Sequence, residues 1–175
     1  MDPKLMRLFQ RYIAEQCDIF MEEGKDFQSL SPLRWDVLQT VVVAAGIISN
    51  LLWGDSPSKA AERAELRASL GVMDDSPLRA RGVRNAFIHI DERLMEWWRE
   101  SPGHRYADKV LGPTYLEGFA EVEVFRRYNW ISQDLLFWGE RFNLLRVSRE
   151  VKRIAPIAKA ASASESPDAQ DWVDR

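Results

Sequence analysis

The chain has 175 residues, and its 24 basic and 27 acidic side chains give a net charge of −3. The overall charge therefore does not favour a nucleic acid or an acidic membrane as a partner. With 46% hydrophobic residues it can bury the core of one domain without a disulfide or a metal. The single cysteine, Cys17, excludes an internal disulfide. Because no cationic cluster or second cysteine lies near it, we predict a buried apolar residue and not a reactive thiol.

Two helices are predicted in the first 53 residues, and the second of them is apolar almost all round. Apolar residues recur at helical spacing from Lys4 to about Glu23, and Gly24 is a typical stop. A second helix is predicted from Pro32 to Trp53, with Ser31 as its N-cap. Its apolar run VVVAAGIISNLLW is too short to span a bilayer and predicts the central helix of a bundle. The N-terminal residues lack the pattern of a secretory signal, so we expect a cytoplasmic protein without a membrane partner.

Two further helices are predicted from their composition and caps. SKAAERAELRASL, from Ser58 to Leu70, is rich in strong helix formers and is followed by Gly71, which predicts a helix. Its wide polar face predicts that this helix lies on the outside of the bundle. The segment from Asp74 to Pro77 is a second N-terminal capping signal. The helix that it opens is predicted to run to about Glu100, where Ser101-Pro102-Gly103 ends it.

The composition changes after Pro102, where Val, Phe, Tyr and Trp become frequent and glycines separate the segments. We predict two or three short strands with a tight hairpin at Gly139-Glu140, and a last helix from Leu144 to about Ala160. The predicted organisation is a helical bundle over residues 1–101 and β-hairpins with a C-terminal helix packed on it over 102–160. The small, polar residues 161–175 predict a disordered tail.

The fourth helix has two apolar faces. A core-facing stripe is predicted for Val83, Phe87, Ile90, Leu94 and Trp97, which lie near a common direction at about 100° per residue. Ile88 and Met95, seven residues apart, form a second apolar face on the side away from this stripe, and Trp98 lies between that side and the core. Apolar residues away from the core predict a second partner, which is either another copy of the chain or the C-terminal hairpin.

The same helix carries three polar residues in a short space, Arg84, Asn85 and His89. Asn85 and His89 are one turn apart, whereas Arg84 lies about 140° round the helix from His89. The two could line one cleft, or Arg84 of one chain could face His89 of another across a two-fold axis. The simpler interpretation is a solvated surface, with Arg84 paired to Asp91, Asp74 or Asp75.

The pattern R-N-x-x-x-H, from Arg84 to His89, resembles the signature of the HEPN superfamily (higher eukaryote and prokaryote nucleotide-binding domains). In that family an Arg, a following polar residue and a His four to six positions on lie on one helix of a bundle. SNLLW, LRASL and SPLRARGVRNAFIHIDERL are similar as well, so the resemblance covers roughly residues 1 to 101. It implies a mainly α fold, a HEPN-like antiparallel helical bundle, here with a small antiparallel β-hairpin element before the last helix.

The resemblance also implies a function. Many members resemble metal-independent endoribonucleases in which two copies of the motif form one cleft. It implies a homodimer through the Arg84–Trp98 helix, RNA as the substrate, a toxin or a defence or stress effector, and an antitoxin or other partner protein. The implied catalytic residues are Arg84, Asn85 and His89.

These residue types suit cleavage of RNA by its own 2′-OH. A histidine exchanges protons near neutral pH, a guanidinium binds the phosphate on which charge develops, and Asn85 can orient either of them. Neither a cofactor nor a metal is expected, because His89, Asp91 and Glu92 are too close together for a convincing ligand set. The local field has both signs, since five arginines attract phosphate and three carboxylates repel it. The arginines are Arg79, Arg81, Arg84, Arg93 and Arg99; the carboxylates are those of Asp91, Glu92 and Glu96.

Two other functions remain open. One is a non-catalytic HEPN-like dimeric binding or scaffold protein, and the other is a nucleotide-binding protein that uses the same Arg/His cleft. The aromatic residues that could stack RNA bases are more simply explained as core. They are Trp97, Trp98, Phe125, Tyr128, Trp130, Phe137 and Trp138. No Gly-rich phosphate loop, nucleophile elbow or zinc pattern is present in the sequence.

Overall fold

The computed structural model describes residues 1–25, 34–112 and 116–163. In these residues the protein is mainly helical, with seven α-helices and one small sheet of four strands. The helices are α1 (Pro3–Glu23), α2 (Trp35–Trp53), α3 (Pro57–Glu62), α4 (Ala64–Ser69), α5 (Gly82–Ile88), α6 (Ile90–Glu100) and α7 (Leu144–Ala163). The strands are β1 (Val110–Leu111), β2 (Arg126–Asn129), β3 (Asp134–Phe137) and β4 (Glu140–Asn143).

The first helix confirms its prediction, and Asp2 caps it by accepting hydrogen bonds from the backbone N–H groups of Lys4 and Leu5. The predicted cap of α2 at Ser31 and Pro32 lies outside the described residues. The tail from residue 164 onward lies outside them too, and residues 161–163 form the last turn of α7.

The third and fourth predicted helices, from Ser58 to Leu70 and up to about Glu100, are each interrupted at one residue. Arg63 separates α3 from α4, and His89 separates α5 from α6. Backbone hydrogen bonds reach both breaks from either side. Arg63 donates to Lys59 at 3.2 Å and accepts from Arg67 at 3.0 Å, and His89 donates to Asn85 at 2.8 Å and accepts from Arg93 at 3.1 Å. The helix predicted to start near Pro77 begins instead with the 3₁₀ turn Pro77–Arg79, and α5 starts at Gly82.

The sheet follows the predicted strand-rich region but has one more strand than expected. The order is β1-β2-β3-β4, with β1 parallel to β2 and the other pairs antiparallel. The predicted hairpin is present, but its turn is Trp138-Gly139, one residue earlier, because Phe137 pairs with Glu140. Both turn residues have positive φ, 40° and 87°, as a tight two-residue hairpin requires.

One continuous core joins the helices to the sheet. Helix α7 packs along α1, and α1 packs on α2. Helix α5 lies between α2 and strands β3 and β4, where Phe87 meets Phe137 edge to face at 4.9 Å. The helical half of the chain and the strand-rich half therefore bury their apolar residues against each other, and α5 is held from both sides.

Helix α2 is long and apolar enough to cross a membrane by length and composition, and 56% of that stretch is buried inside the fold. Burial in the core accounts for most of its apolar character, as predicted for a central helix. The Cys17 prediction is also confirmed, because its side chain is fully buried. Burial raises the pKa of the Cys17 thiol to about 12, so it stays protonated and unreactive at neutral pH.

Candidate functional site

Helix α5 carries the three predicted site residues, and its packing fixes their positions. Val83, Ala86 and Phe87 are buried. Arg84 faces α2, Asn85 faces solvent, and His89 occupies the break that ends the helix. Helix α5 runs antiparallel to α2. Arg81, just before α5, donates to Ser49 near the C-terminal end of α2. Phe87, near the end of α5, and Trp35, at the start of α2, both have the guanidinium of Arg126 over their rings.

Arg84 lies against α2 because that helix has a glycine at the point of contact. A Cβ on Gly46 would meet Arg84 Cγ and would lie 3.0 Å from Cδ, so a larger residue would displace the arginine. Arg84 Nη2 donates to Asn50 Oδ1 at 2.6 Å. Its Nε is buried and has no partner among the described residues. The guanidinium is thus anchored at one end, with donor capacity left over.

Asn85 and His89 are both exposed. The Asn85 side chain makes no hydrogen bond within the described residues. The His89 ring is 55% exposed, with Nδ1 at 3.8 Å from Glu92 Oε1. That distance is too long for a hydrogen bond, but it allows an ion pair once the ring is protonated.

No hydrogen bond or ion pair joins Arg84 to His89 in the described part of one chain. Within the described residues Arg84 does not pair with Asp91, Asp74 or Asp75, and its hydrogen-bond partner is Asn50. Of the acidic residues near His89, Glu96 is neutralised by Arg93 at 3.0 Å. The repulsion of phosphate expected from these carboxylates is therefore reduced.

The predicted second apolar face is on the surface. Ile88 is 55%, Met95 68% and Trp98 57% exposed, and the C-terminal hairpin does not bury them. The predicted core stripe is correct for Val83, Phe87 and Trp97 but wrong for Leu94, which is exposed, and only partly right for Ile90, which is half-buried. The backbone of His89 is not helical, with φ −105° and ψ 47°, so the helical spacing is interrupted there and one stripe does not continue through both segments.

Most of the aromatic residues belong to the core, as expected. Trp97, Phe125, Tyr128 and Phe137 are buried, and Trp138 packs against the core. Trp98 and Trp130 are exposed. The Trp98 ring stacks on His104, with 3.9 Å between ring centroids and an angle of 6° between the planes.

A cavity of about 740 Å³ lies between α6 and the sheet. Its lining mixes both charges with apolar groups: Arg93, Arg127, Arg141, Glu96, Glu100, Glu121, Val124, Leu136, Trp138 and Gly139. Three carboxylates beside three guanidinium groups give no net attraction for a phosphate. Within the described residues no group of three or more His, Cys, Asp and Glu side chains is arranged to hold a metal ion.

Gly46 and Asn50 are the site residues that the sequence analysis missed. Both stand out as small or polar residues in an otherwise apolar helix. Such residues at the centre of a bundle often mark a close approach or a polar partner from another element. That signal could have led to them, but it does not identify Arg84 as the partner. Comparison of the chain with protein-family models, curated proteins and solved structures found no match.

Proposed function

We propose that the protein is a HEPN-like, metal-independent endoribonuclease that acts as a homodimer, as a toxin or a defence or stress effector. The observation that carries this proposal is the contrast between the two motif residues. His89 presents an exposed imidazole at a helix break, and the half-buried Arg84 is held on α2 by its hydrogen bond to Asn50. One group can exchange protons with a substrate, and the other can bind an anion.

His89 is the proposed acid and base. As a base it takes the proton from a ribose 2′-OH, whose oxygen then bonds to the adjacent phosphorus. The bond from phosphorus to the 5′ oxygen breaks, and that oxygen receives a proton from a protonated imidazole. The products are a 2′,3′-cyclic phosphate and a 5′-OH.

Arg84 is proposed to stabilise the charge that develops on the phosphate. Its contact with Asn50 and the close approach at Gly46 hold the guanidinium in place before substrate binds. A donor that is already oriented does not need to reorganise during the reaction, and this is the main source of electrostatic catalysis. Asn85, exposed one turn before His89, is proposed to orient the ring or the phosphate.

The dimer is part of the proposal because Arg84 and His89 of one chain are not joined by a contact. Ile88, next to His89 in the chain, and Met95 and Trp98 on α6 are exposed apolar residues, and exposed apolar side chains favour association. A two-fold axis near α5 and α6 would bring Arg84 of one protomer towards His89 of its partner.

The test is incubation of a mixed RNA pool with purified protein in EDTA, with the fragment ends analysed for cyclic phosphate. We expect cleavage by the wild type and a loss of at least about 100-fold for His89→Gln, the usual contribution of a general acid or base. His104→Gln is the matched control, because His104 is the other of the two histidines and its flat replacement can keep the stacking on Trp98.

Wild-type cleavage that persists in His89→Gln would reject the proposed site. An absence of cleavage by a stable wild-type dimer would favour the alternative function, a dimeric binding or scaffold protein. One observation favours that alternative. Between α1 and α2 lies a groove of about 510 Å³ lined in part by Ile19, Val43 and Ile47, which is suited to an apolar partner.

A further inference from the structure

Arginines gather around the C-terminal end of α2. Two of them have a structural role, since Arg63 donates to the carbonyl of Leu51 at 3.3 Å and Arg67 to that of Leu52 at 2.9 Å. These carbonyls lack partners inside the helix, and cations near a helix C-terminus are stabilising. Capping of α2 does not explain three further arginines beside them, Arg79, Arg81 and Arg84.

The charges of these three arginines are poorly balanced. Burial lowers the pKa of Arg81, and the positive charges of Arg84, Arg79 and Arg63 lower it further. Asp55 acts in the opposite direction, but its carboxylate is already paired with Lys59 at 2.9 Å. The cluster therefore favours an additional negative charge.

The donors of Arg79 and Arg81 are mostly unused. Arg81 Nε donates to Ser49 Oγ at 3.3 Å, and Arg79 Nη1 donates to the carbonyl of Asp74 at 3.0 Å. Their other guanidinium nitrogens make no hydrogen bond within the ranges that the structure describes. Both side chains line a cavity of about 290 Å³, whose wall includes Trp53 and, as its one carboxylate, Asp55.

This cavity adjoins the arginine of the candidate site. Arg81 is anchored on Ser49 and Arg84 on the next residue of α2, Asn50. The positive charges of Arg84 and Arg79 both act on Arg81, so the three guanidinium groups lie near one another. A group of cations of this kind suits a ligand that carries several phosphates.

We propose that Arg79 and Arg81 form a second phosphate subsite, which holds the RNA backbone phosphate next to the one bound by Arg84. This inference rests on the proposed function, because it takes RNA as the substrate. The subsite would add affinity without reading sequence, since contacts to the backbone position a nucleic acid and contacts to the bases specify it.

The experiment measures binding of a fluorescent 2′-O-methyl RNA oligonucleotide, which has no free 2′-OH and is not cleaved. Anisotropy titrations at several salt concentrations would compare the wild type with Arg79→Gln and Arg81→Gln. Arg11→Gln is the matched control, since this exposed α1 arginine pairs with Glu15 and the charge change is the same. The Arg79→Gln variant should fold normally, because the Arg79 side chain is exposed and the substitution removes one hydrogen bond, to a backbone carbonyl.

We expect each subsite variant to bind several-fold more weakly, with the slope of log K against log salt reduced by roughly 0.7 for each lost phosphate contact. Unchanged affinity and slope in both variants, an equal loss in Arg11→Gln, or no binding by the wild type would each overturn the subsite. Binding that depends on Arg81 without any cleavage would keep the subsite and reject the nuclease. Binding of inorganic phosphate measured by calorimetry, together with no affinity for the oligonucleotide, would assign the cavity to a free anion and overturn the RNA subsite.

Discussion

Gly46 is the residue that allows Arg84 to lie against α2. The sequence predicted Arg84 as a site residue from its motif, but its position depends on Gly46 and Asn50, more than 30 residues earlier in the chain. Helical spacing places residues of one helix relative to each other. It does not state which residue of another helix they meet, so the support of the site could not be predicted.

We expect Gly46→Ala to destabilise the protein although alanine is the better helix former. The new methyl group would overlap the stem of Arg84. Overpacking of this kind costs about 1–3 kcal/mol, which exceeds the gain in helix propensity of about 1 kcal/mol. Urea unfolding gives the free energies. The double variant Gly46→Ala/Arg84→Ala should recover stability relative to Gly46→Ala, with a coupling of about 1 kcal/mol or more. Purely additive effects would contradict this explanation.

At the scale of the elements, single residues interrupt the helices because the flanking segments have different partners. Helix α5 packs between α2 and the sheet, whereas α6 contacts the 3₁₀ turn at Glu121–Glu123 and places Trp97 against Tyr106, with ring centroids 5.1 Å apart. Propensity and caps predict where a helix is favoured. They do not predict which distant residues the two segments of an interrupted helix will meet.

The attachment of α7 to the loop after α4 gives a prediction for pH. Arg153 donates to both carboxylate oxygens of Glu150 at 2.8 Å, and Ser76 donates to the same carboxylate at 3.1 Å. Arg153, and then Ser76, hold the pKa of Glu150 below its ordinary value of 4.5. A lowered pKa in the folded state stabilises the protein above the ordinary value, and that stability is lost as pH falls through the folded value.

We therefore expect Glu150→Gln to lower the free energy of unfolding at pH 7 by about 1 to 2 kcal/mol. The difference from the wild type should shrink below pH 4.5. Urea unfolding between about pH 3 and pH 7 measures this dependence. Glu15→Gln, on the exposed side of α1, is the control and should show a smaller effect at neutral pH. A difference that is constant with pH would mean that packing, and not charge, determines the contribution of Glu150.

At the scale of the whole molecule, we propose that the site is complete only in an assembly of two chains. Ile88, next to His89 in the chain, and Met95 and Trp98 on α6 are exposed apolar residues that such an assembly would bury. A charge at Met95 should prevent association, because a buried unpaired carboxylate is strongly unfavourable. We expect Met95→Glu to be monomeric by light scattering and to lose cleavage. Ile131→Glu, at a position that is 73% exposed on the turn after β2, should keep both properties.

A mixture of two inactive variants tests whether the site is shared. If Arg84 of one protomer acts with His89 of its partner, a heterodimer of His89→Gln and Arg84→Ala contains one intact site and one doubly altered site. We expect the mixture to recover up to about a quarter of the wild-type rate after subunit exchange, since half of the dimers formed by random exchange are mixed. No recovery would place both groups in one chain, or would mean that the subunits do not exchange.

The sequence by itself determined the helical class, the first helix, the central position of α2, the strand-rich segment before α7 and the burial of Cys17. These features follow from local periodicity and composition, which burial of apolar surface enforces along each element. Only the tertiary structure decided that Arg84 donates to Asn50 and that His89 interrupts its helix. It also decided that Arg79 and Arg81 line a cavity near Arg84. Those features arise where separate elements pack, and the energy of a contact depends on both partners, which no single stretch of sequence contains.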